Sequence, residues 1–212
     1  GTITSEALPV APFARIVFSS EGTVVLTQGE DVSLVIEADD NLHRYLLTEV
    51  VDGELTISTE PSTDIAPSKS IVFRVGVVDL TAIELAGVGA VTAGTLDAGV
   101  TEVVLSGTGD VSIEQLQATE VTVDHRGVGT IRLAGEVDRQ IVSASGVGEY
   151  DGAGLISREA EVRASGSGAA TVHVTDTLEV VSSESGSVAF YGSPRLVQEV
   201  SGSGEITSLG ER

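Results

Sequence analysis

His43, His125 and His173 are the only side chains in this cysteine-free sequence whose ordinary titration falls near neutrality. They are far apart in sequence, and none belongs to the His-x-x-x-His spacing that places two ligands on one zinc ion. Asp124-His125-Arg126 is the only Asp-His-Arg cluster in the chain. General acid–base work would need these groups converging in a cleft, yet neighbours on a strand point to opposite faces. His125 is therefore read as a buried or semi-buried structural histidine. It stands two residues before a glycine, where the other copies of a repeat have Leu105, Ala144, Ala164 and Glu184.

The hydroxyls give no nucleophile. Ser165, Ser167, Ser201 and Ser203 lie in Ser-Gly-Ser-Gly, not in Gly-x-Ser-x-Gly, so no nucleophile elbow is present and they are expected to satisfy backbone groups at corners. Asp110, Glu149 and Glu205 follow glycines, as acids do in calcium-loaded β-rolls. Those rolls need a nonapeptide Gly-Gly-x-Gly-x-Asp period, which is absent, as is an EF-hand loop. The expectation is no catalytic residue, no cofactor and no metal site, with ligand-binding residues unknown.

Composition narrows the partners. With 212 residues, 32 Asp and Glu and 11 Lys and Arg, the formal net charge is −21. No basic stripe exists to neutralise phosphates, so no nucleic-acid partner is expected, and the charge argues against an anionic membrane surface for the same reason. Hydrophobic residues make up 41%, enough for a core. No transmembrane span is expected, since the longest stretches without Asp, Glu, Lys or Arg, Leu85–Leu96 and Ala164–Thr175, fall short of about 18 residues. Met is absent, so Gly1 is not expected to be the natural start, and an excised signal segment is one explanation.

Twenty-five glycines supply the dominant pattern. Gly87-Val88-Gly89, Gly107-Thr108-Gly109, Gly127-Val128-Gly129, Gly146-Val147-Gly148, Gly166-Ser167-Gly168 and Gly202-Ser203-Gly204 recur, with Gly186-Ser187-Val188 read as a degenerate copy. First-glycine spacings are 20, 20, 19, 20, 20 and 16. Between glycines, apolar and polar residues alternate with period two, a strand signal. A fixed period of this length predicts a solenoid with glycines at its corners. Aligned on the first glycine, one apolar column reads Val91, Val111, Ile131, Tyr150, Ala170, Phe190 and Ile206. A second reads Val103, Val123, Val142 and Val162, then Ser182 and Gln198.

Residues 1–80 read as a β-rich N-terminal cap continuous with the solenoid of residues 81–212. Strands are expected at Arg15–Ser19, Gly22–Gln28, Val32–Glu37, Glu49–Val51, Glu54–Ser58, Ile71–Val78 and Thr81–Leu85. Asp52-Gly53 marks a hairpin, Glu60–Ser70 a loop, and Asp39–Leu47 a short helical turn capped by Asp39 or Asp40.

The chain resembles the bacterial putative auto-transporter adhesin, head GIN domain family. The resemblance rests on Phe13-Ala14-Arg15-Ile16-Val17-Phe18, Thr23–Gly29, Asp52–Ile57, the Ser-Gly-x-Gly-acid-Val copies at Ser106–Val111 and Ser201–Ile206, and Tyr191-Gly192-Ser193-Pro194. Ala90, Thr130, Ala169 and Ala189 depart from the family's usual acid, which argues against a continuous acidic ladder. The resemblance implies a right-handed parallel β-helix in an exported protein of the periplasm or outer cell surface, often lipid-anchored upstream. It implies no known reaction.

These readings converge on an all-β, single β-solenoid that acts without catalysis, as an adhesin or binding and scaffolding module for an unidentified envelope or glycan partner. The alternative is a polysaccharide-active β-helix enzyme. Against it, Arg132, Arg139, Arg158, Arg163 and Arg195 do not share one face, and Tyr150, Phe190 and Tyr191 are the only aromatics in the repeats.

Overall fold

A computed structural model describes residues 1–212, the side chain of Val100 excepted. Seventeen strands follow in order: β1 Ile3–Leu8, β2 Arg15–Ser19, β3 Glu21–Gln28, β4 Ser33–Asp39, β5 Leu46–Val51 and β6 Glu54–Thr59. Next come β7 Val72–Val77, β8 Ala82–Leu85, β9 Val88–Asp97, β10 Val100–Leu105, β11 Thr108–His125 and β12 Val128–Ala144. The series closes with β13 Val147–Ala164, β14 Ala169–Glu184, β15 Ser187–Tyr191, β16 Arg195–Gly202 and β17 Ile206–Ser208. From β8 onward every pairing is parallel and joins one coil to the next, giving the β-solenoid that the glycine period predicts.

Each coil has a front run after its glycine corner and a rear run before the next one. In β11 the inward residues are Val111 and Ile113, then Leu116, then Val121, Val123 and His125. The change of parity between Ile113 and Leu116 is the bend that lets one continuous strand serve both runs. In-register pairing stacks like on like, so Val103, Val123, Val142 and Val162 form one buried column with neighbours about 4.8 Å apart.

Val88-Gly89, Thr108-Gly109 and Val128-Gly129 pair directly across coils at the corner. Gly109 and Gly129 have φ of +139° and +136°, and a Cβ on either would fall onto the carbonyl oxygen of the corresponding glycine one coil earlier. The positive φ falls on the second glycine of these copies. Gly107, the first, is held by close backbone approach, since its Cβ would meet the carbonyl of Gly87.

One alignment from the sequence is corrected. Glu184 pairs with Gly202 and Ser187 with Ala169, so Gly186 holds the second-glycine position and Glu184 the first. Glu184 adopts φ +57° there, a conformation that glycine normally supplies. The coils after Gly166 are therefore 18 residues long: Gly166, Glu184, Gly202. The apolar columns shift accordingly. Ala170 pairs with Val188, which pairs with Ile206, and Phe190 pairs with Val172. Val180, not Ser182, continues the valine column to Gln198, and Ser182 replaces Glu184 in the column of His125.

The N-terminal strands lie within two residues of their expected bounds, except β5, which starts at Leu46 and not at Glu49. Asp52 and Gly53, with φ of +50° and +78°, make the tight turn between β5 and β6. The first eighty residues supply both an end cover and coils. β2 pairs in parallel with β6 and β8, and β3 with β7 and β9. β4 then pairs antiparallel with β7, β1 with β4, and β5 with β6, closing that end. β1 was not foreseen; it is exposed along nearly its whole length and so carries no apolar alternation.

The short helical turn is a 3-10 turn at His43–Tyr45 whose N-cap is Leu42, without a side-chain cap. Asp39 instead ends β4. Its carboxylate accepts from the Ser68 amide and hydroxyl, both at 2.7 Å, so it pins the 60–70 loop and does not cap the turn.

Candidate functional site

His125 is 1% exposed, and its Nε2 donates to the carbonyl of Gly129 at 2.8 Å. Asp124 and Arg126 point the other way and pair with each other at 3.1 Å, while Arg126 also reaches Glu84 at 3.5 Å. The Asp-His-Arg trio thus splits across the sheet, as strand geometry requires. Ser182, its counterpart two coils beyond Ala144, makes the same connection: its Oγ donates to Gly186 at 2.6 Å. A polar side chain in this column ties its own corner down four residues later.

The other histidines lie elsewhere. His43 contacts Thr4 Oγ1 at 3.0 Å and Glu6 at 3.2 Å, fixing β1 to the 3-10 turn. His173 lies on β14 with its ring 6.1 Å from that of Tyr191. No group of three or more His, Asp or Glu among the described residues is arranged to hold a metal ion. Along the outward column Ala90–Asp110–Thr130–Glu149–Ala169–Ser187–Glu205, the acids Asp110 and Glu149 stand two coils apart, about 10 Å. Of the corner serines Ser165, Ser167, Ser201 and Ser203, Ser203 bonds the backbone as expected, its Oγ donating to the Glu184 carbonyl at 3.3 Å.

A buried polar chain crosses the core where sequence reasoning expected only packing. Tyr150, fully buried, donates to Gln140 Oε1 at 2.9 Å. Gln140 Nε2 donates to Ser157 Oγ at 2.9 Å and to the Leu155 carbonyl at 3.1 Å, and Ser157 Oγ donates to the His173 carbonyl at 3.2 Å. Burial, and secondarily Asp151, drives the Tyr150 phenol well above its ordinary pKa. The signal was present in the sequence: Gln140 interrupts the inward column between Val121 and Ala160.

Outside, the arginines are mostly neutralised by adjacent coils. Arg132 meets Asp151 at 2.9 Å, Arg158 meets Asp176 at 3.3 Å, Arg139 meets Glu161 at 3.4 Å, and Arg163 also pairs with Glu161. Arg15 lies between Glu54 at 3.4 Å and Glu102 at 3.5 Å. Glu161 is thus shared by two arginines, while Arg15 has two acids to itself. Near the capped end an apolar cleft of about 410 Å³ opens between Pro12, Phe13, Val32 and Val78, a feature the sequence did not announce.

Comparison with known proteins is decisive on family. A profile of the family described as "Putative auto-transporter adhesin, head GIN domain" matches residues 12–194. The chain belongs to this family. Among solved structures it is similar to a putative adhesin from Bacteroides fragilis NCTC 9343, at 24% identity and a TM-score of 0.92, covering 98% of this chain and 97% of that one. A putative lipid binding protein from Parabacteroides distasonis ATCC 8503 matches at 21% identity and TM-score 0.76, over 99% and 97%. A putative adhesin from the same organism matches at 22% and 0.76, over 99% and 98%. At such identities these likenesses establish the fold of this family member. Among curated proteins, none matches the chain. No helix among the described residues is long and apolar enough to cross a membrane.

Proposed function

We propose that this head GIN family member is a non-catalytic adhesin or binding module of the exported cell envelope. It would present its front face to an extended polar partner such as an envelope glycan. The observation that carries this reading is the in-register outward columns, Thr92–Ser112–Arg132–Asp151–Thr171 beside Ala90–Asp110–Thr130–Glu149–Ala169. Hydroxyl and charged groups recur there about every 4.8 Å, a spacing suited to many weak contacts along a chain-like ligand. The burial of His125 and the pairing of Arg132, Arg139, Arg158 and Arg163 with acids support a non-enzymatic role, because these groups are already engaged within the chain.

The test is retention of the full chain on immobilised envelope polysaccharide, run beside a reducing-end assay on the same material. Saturable binding without new reducing ends is expected, and replacing Ser112, Thr130 and Thr171 together by Lys should weaken it at least tenfold. Turnover lost in His125→Ala would overturn the reading in favour of an enzyme.

A second reading has its own observation, the apolar cleft bounded by Pro12, Phe13, Val32 and Val78. A structural neighbour carries the description of a putative lipid binding protein, and an acyl chain is the ligand that such a lining would accept here. Displacement of a fluorescent fatty acid, abolished by Val78→Glu, tests it; no saturable uptake would dismiss it.

A further inference from the structure

The two ends of the rod are finished differently. At one end β1, β4 and β5 cover the first coils with antiparallel strands. At the other, β16 pairs with β14 and, among the described residues, with nothing else, and it is exposed at every position.

Which backbone groups that edge offers follows from the coils before it. In the rear run, the carbonyls of inward residues point to the next coil: Leu85 accepts from Ser106 and Gly107, Leu105 from Arg126 and Gly127, and His125 from Ser145 and Gly146. Val200 stands in this same column, over Ser182. Residues at alternate positions share an orientation in a parallel ladder, so Leu196, Gln198 and Val200 direct both N–H and C=O away from the rod. Their side chains face the interior, yet Leu196 and Val200 remain 37% and 45% exposed because none of the described residues stacks over them.

We propose that a second copy of this chain covers the edge, with two β16 strands pairing antiparallel across a twofold axis through Gln198. This register sets Leu196 against Val200 of the second copy and Gln198 against its own counterpart, each facing pair exchanging both N–H···O bonds. Apolar side chains meet on the inner face, and the two Gln198 amides can donate to and accept from one another.

On the outer face Arg195 lies diagonal to Glu199 of the second copy, within reach of a long side chain. Neither Arg195 nor Glu199 has an ion-pair partner among the described residues, although most of the other arginines of the repeats do. Opposite charges on either side of a twofold axis are their own complement, which is what an isologous interface requires. A generic strand from an unrelated protein would need this pattern by coincidence; a second copy has it by symmetry.

The absence of Cys makes the test direct. Gln198→Cys introduces one thiol, which should form an interchain disulfide under mild oxidation, whereas Val88→Cys at an exposed corner should not. In sedimentation velocity the unmodified chain should dimerise with concentration. Gln198→Pro removes an N–H that serves no bond within the chain, so it should weaken the dimer at least tenfold with an unchanged melting midpoint. Arg195→Glu should also weaken it, and the double exchange Arg195→Glu with Glu199→Arg should restore it. A monomer at every concentration overturns the proposal. So does a dimer indifferent to Gln198→Pro and to the charge exchange, which would assign the contact to another surface.

Discussion

The Tyr150 hydroxyl overhangs Gly152, so closely that a Cβ on that glycine would lie 2.7 Å from the phenol oxygen. The smallest residue on the strand thus makes room for the largest fully buried side chain of the core. Tyr150→Phe keeps the packing but leaves Gln140 Oε1 without its donor. A loss of roughly 1–3 kcal/mol is expected in urea unfolding. Because burial raises the phenol's pKa, the neutral form is the folded one. Its contribution is complete below about pH 10 and lost as pH rises, so Tyr150 phenolate absorbance should appear only together with unfolding.

Corner glycines differ in what they tolerate. Gly129→Ala forces an L side chain into φ +136° and onto the carbonyl of Gly109, and should cost on the order of 3 kcal/mol or more. Gly94→Ala meets nothing within 4 Å and has no positive φ, so a change within about 0.5 kcal/mol is expected. Equal melting midpoints for the two variants would contradict the corner assignment.

Glu184 makes the reverse case. Its φ of +57° carries a steric cost of about 1–2 kcal/mol that glycine escapes. The extra freedom of glycine in the unfolded chain offsets part of this gain. Glu184→Gly should therefore raise the thermal midpoint by a few degrees, whereas Glu184→Val should lower it. If Gly186 were the first glycine of its copy, as the raw spacing suggests, residue 184 would be indifferent to both.

Acid should loosen the capped end first. The Ser68 hydroxyl and then its amide hold the Asp39 carboxyl below its ordinary pKa, with burial opposing them and the Gly1 amino group adding a smaller pull. A depressed carboxyl stabilises the fold above the unfolded value near pH 4 and loses that contribution as pH falls through the folded one. Hydrogen exchange of the 60–70 loop should accelerate below about pH 4. Asp39→Asn should show that faster exchange already at pH 7, with little further change on acidification.

Much of this architecture is written in local chemistry. Asp52-Gly53 demands a tight turn, and the alternation in Glu120-Val121-Thr122-Val123 demands a half-buried strand, so both were legible. The columns were legible only while the period held. At Glu184 a non-glycine residue occupies the corner position, and the next glycine was mistaken for its replacement, which displaced Phe190, Ser182 and Glu184 by two residues. β1 was invisible because an exposed strand buries nothing. His125 could be read as internal from its column, but its tie to Gly129 depends on where the corner carbonyl points. The apolar cleft depends on residues 12, 32 and 78, brought together by the cap.

The placement of β2 and β3 between β6–β7 on one side and β8–β9 on the other carries a consequence for assembly. Residues 15–28 are made early in the chain, yet they occupy an inner layer whose two neighbours are made later. Their hydrogen bonding on one side waits for residue 77, and on the other for residue 93. A solenoid could in principle wind outward from its first coil; this one must wait, then close around its own beginning. The segment from Arg15 to Gln28 is thus the keystone of the capped end, inserted between courses that depend on it, and the rod cannot be shortened from that side one coil at a time.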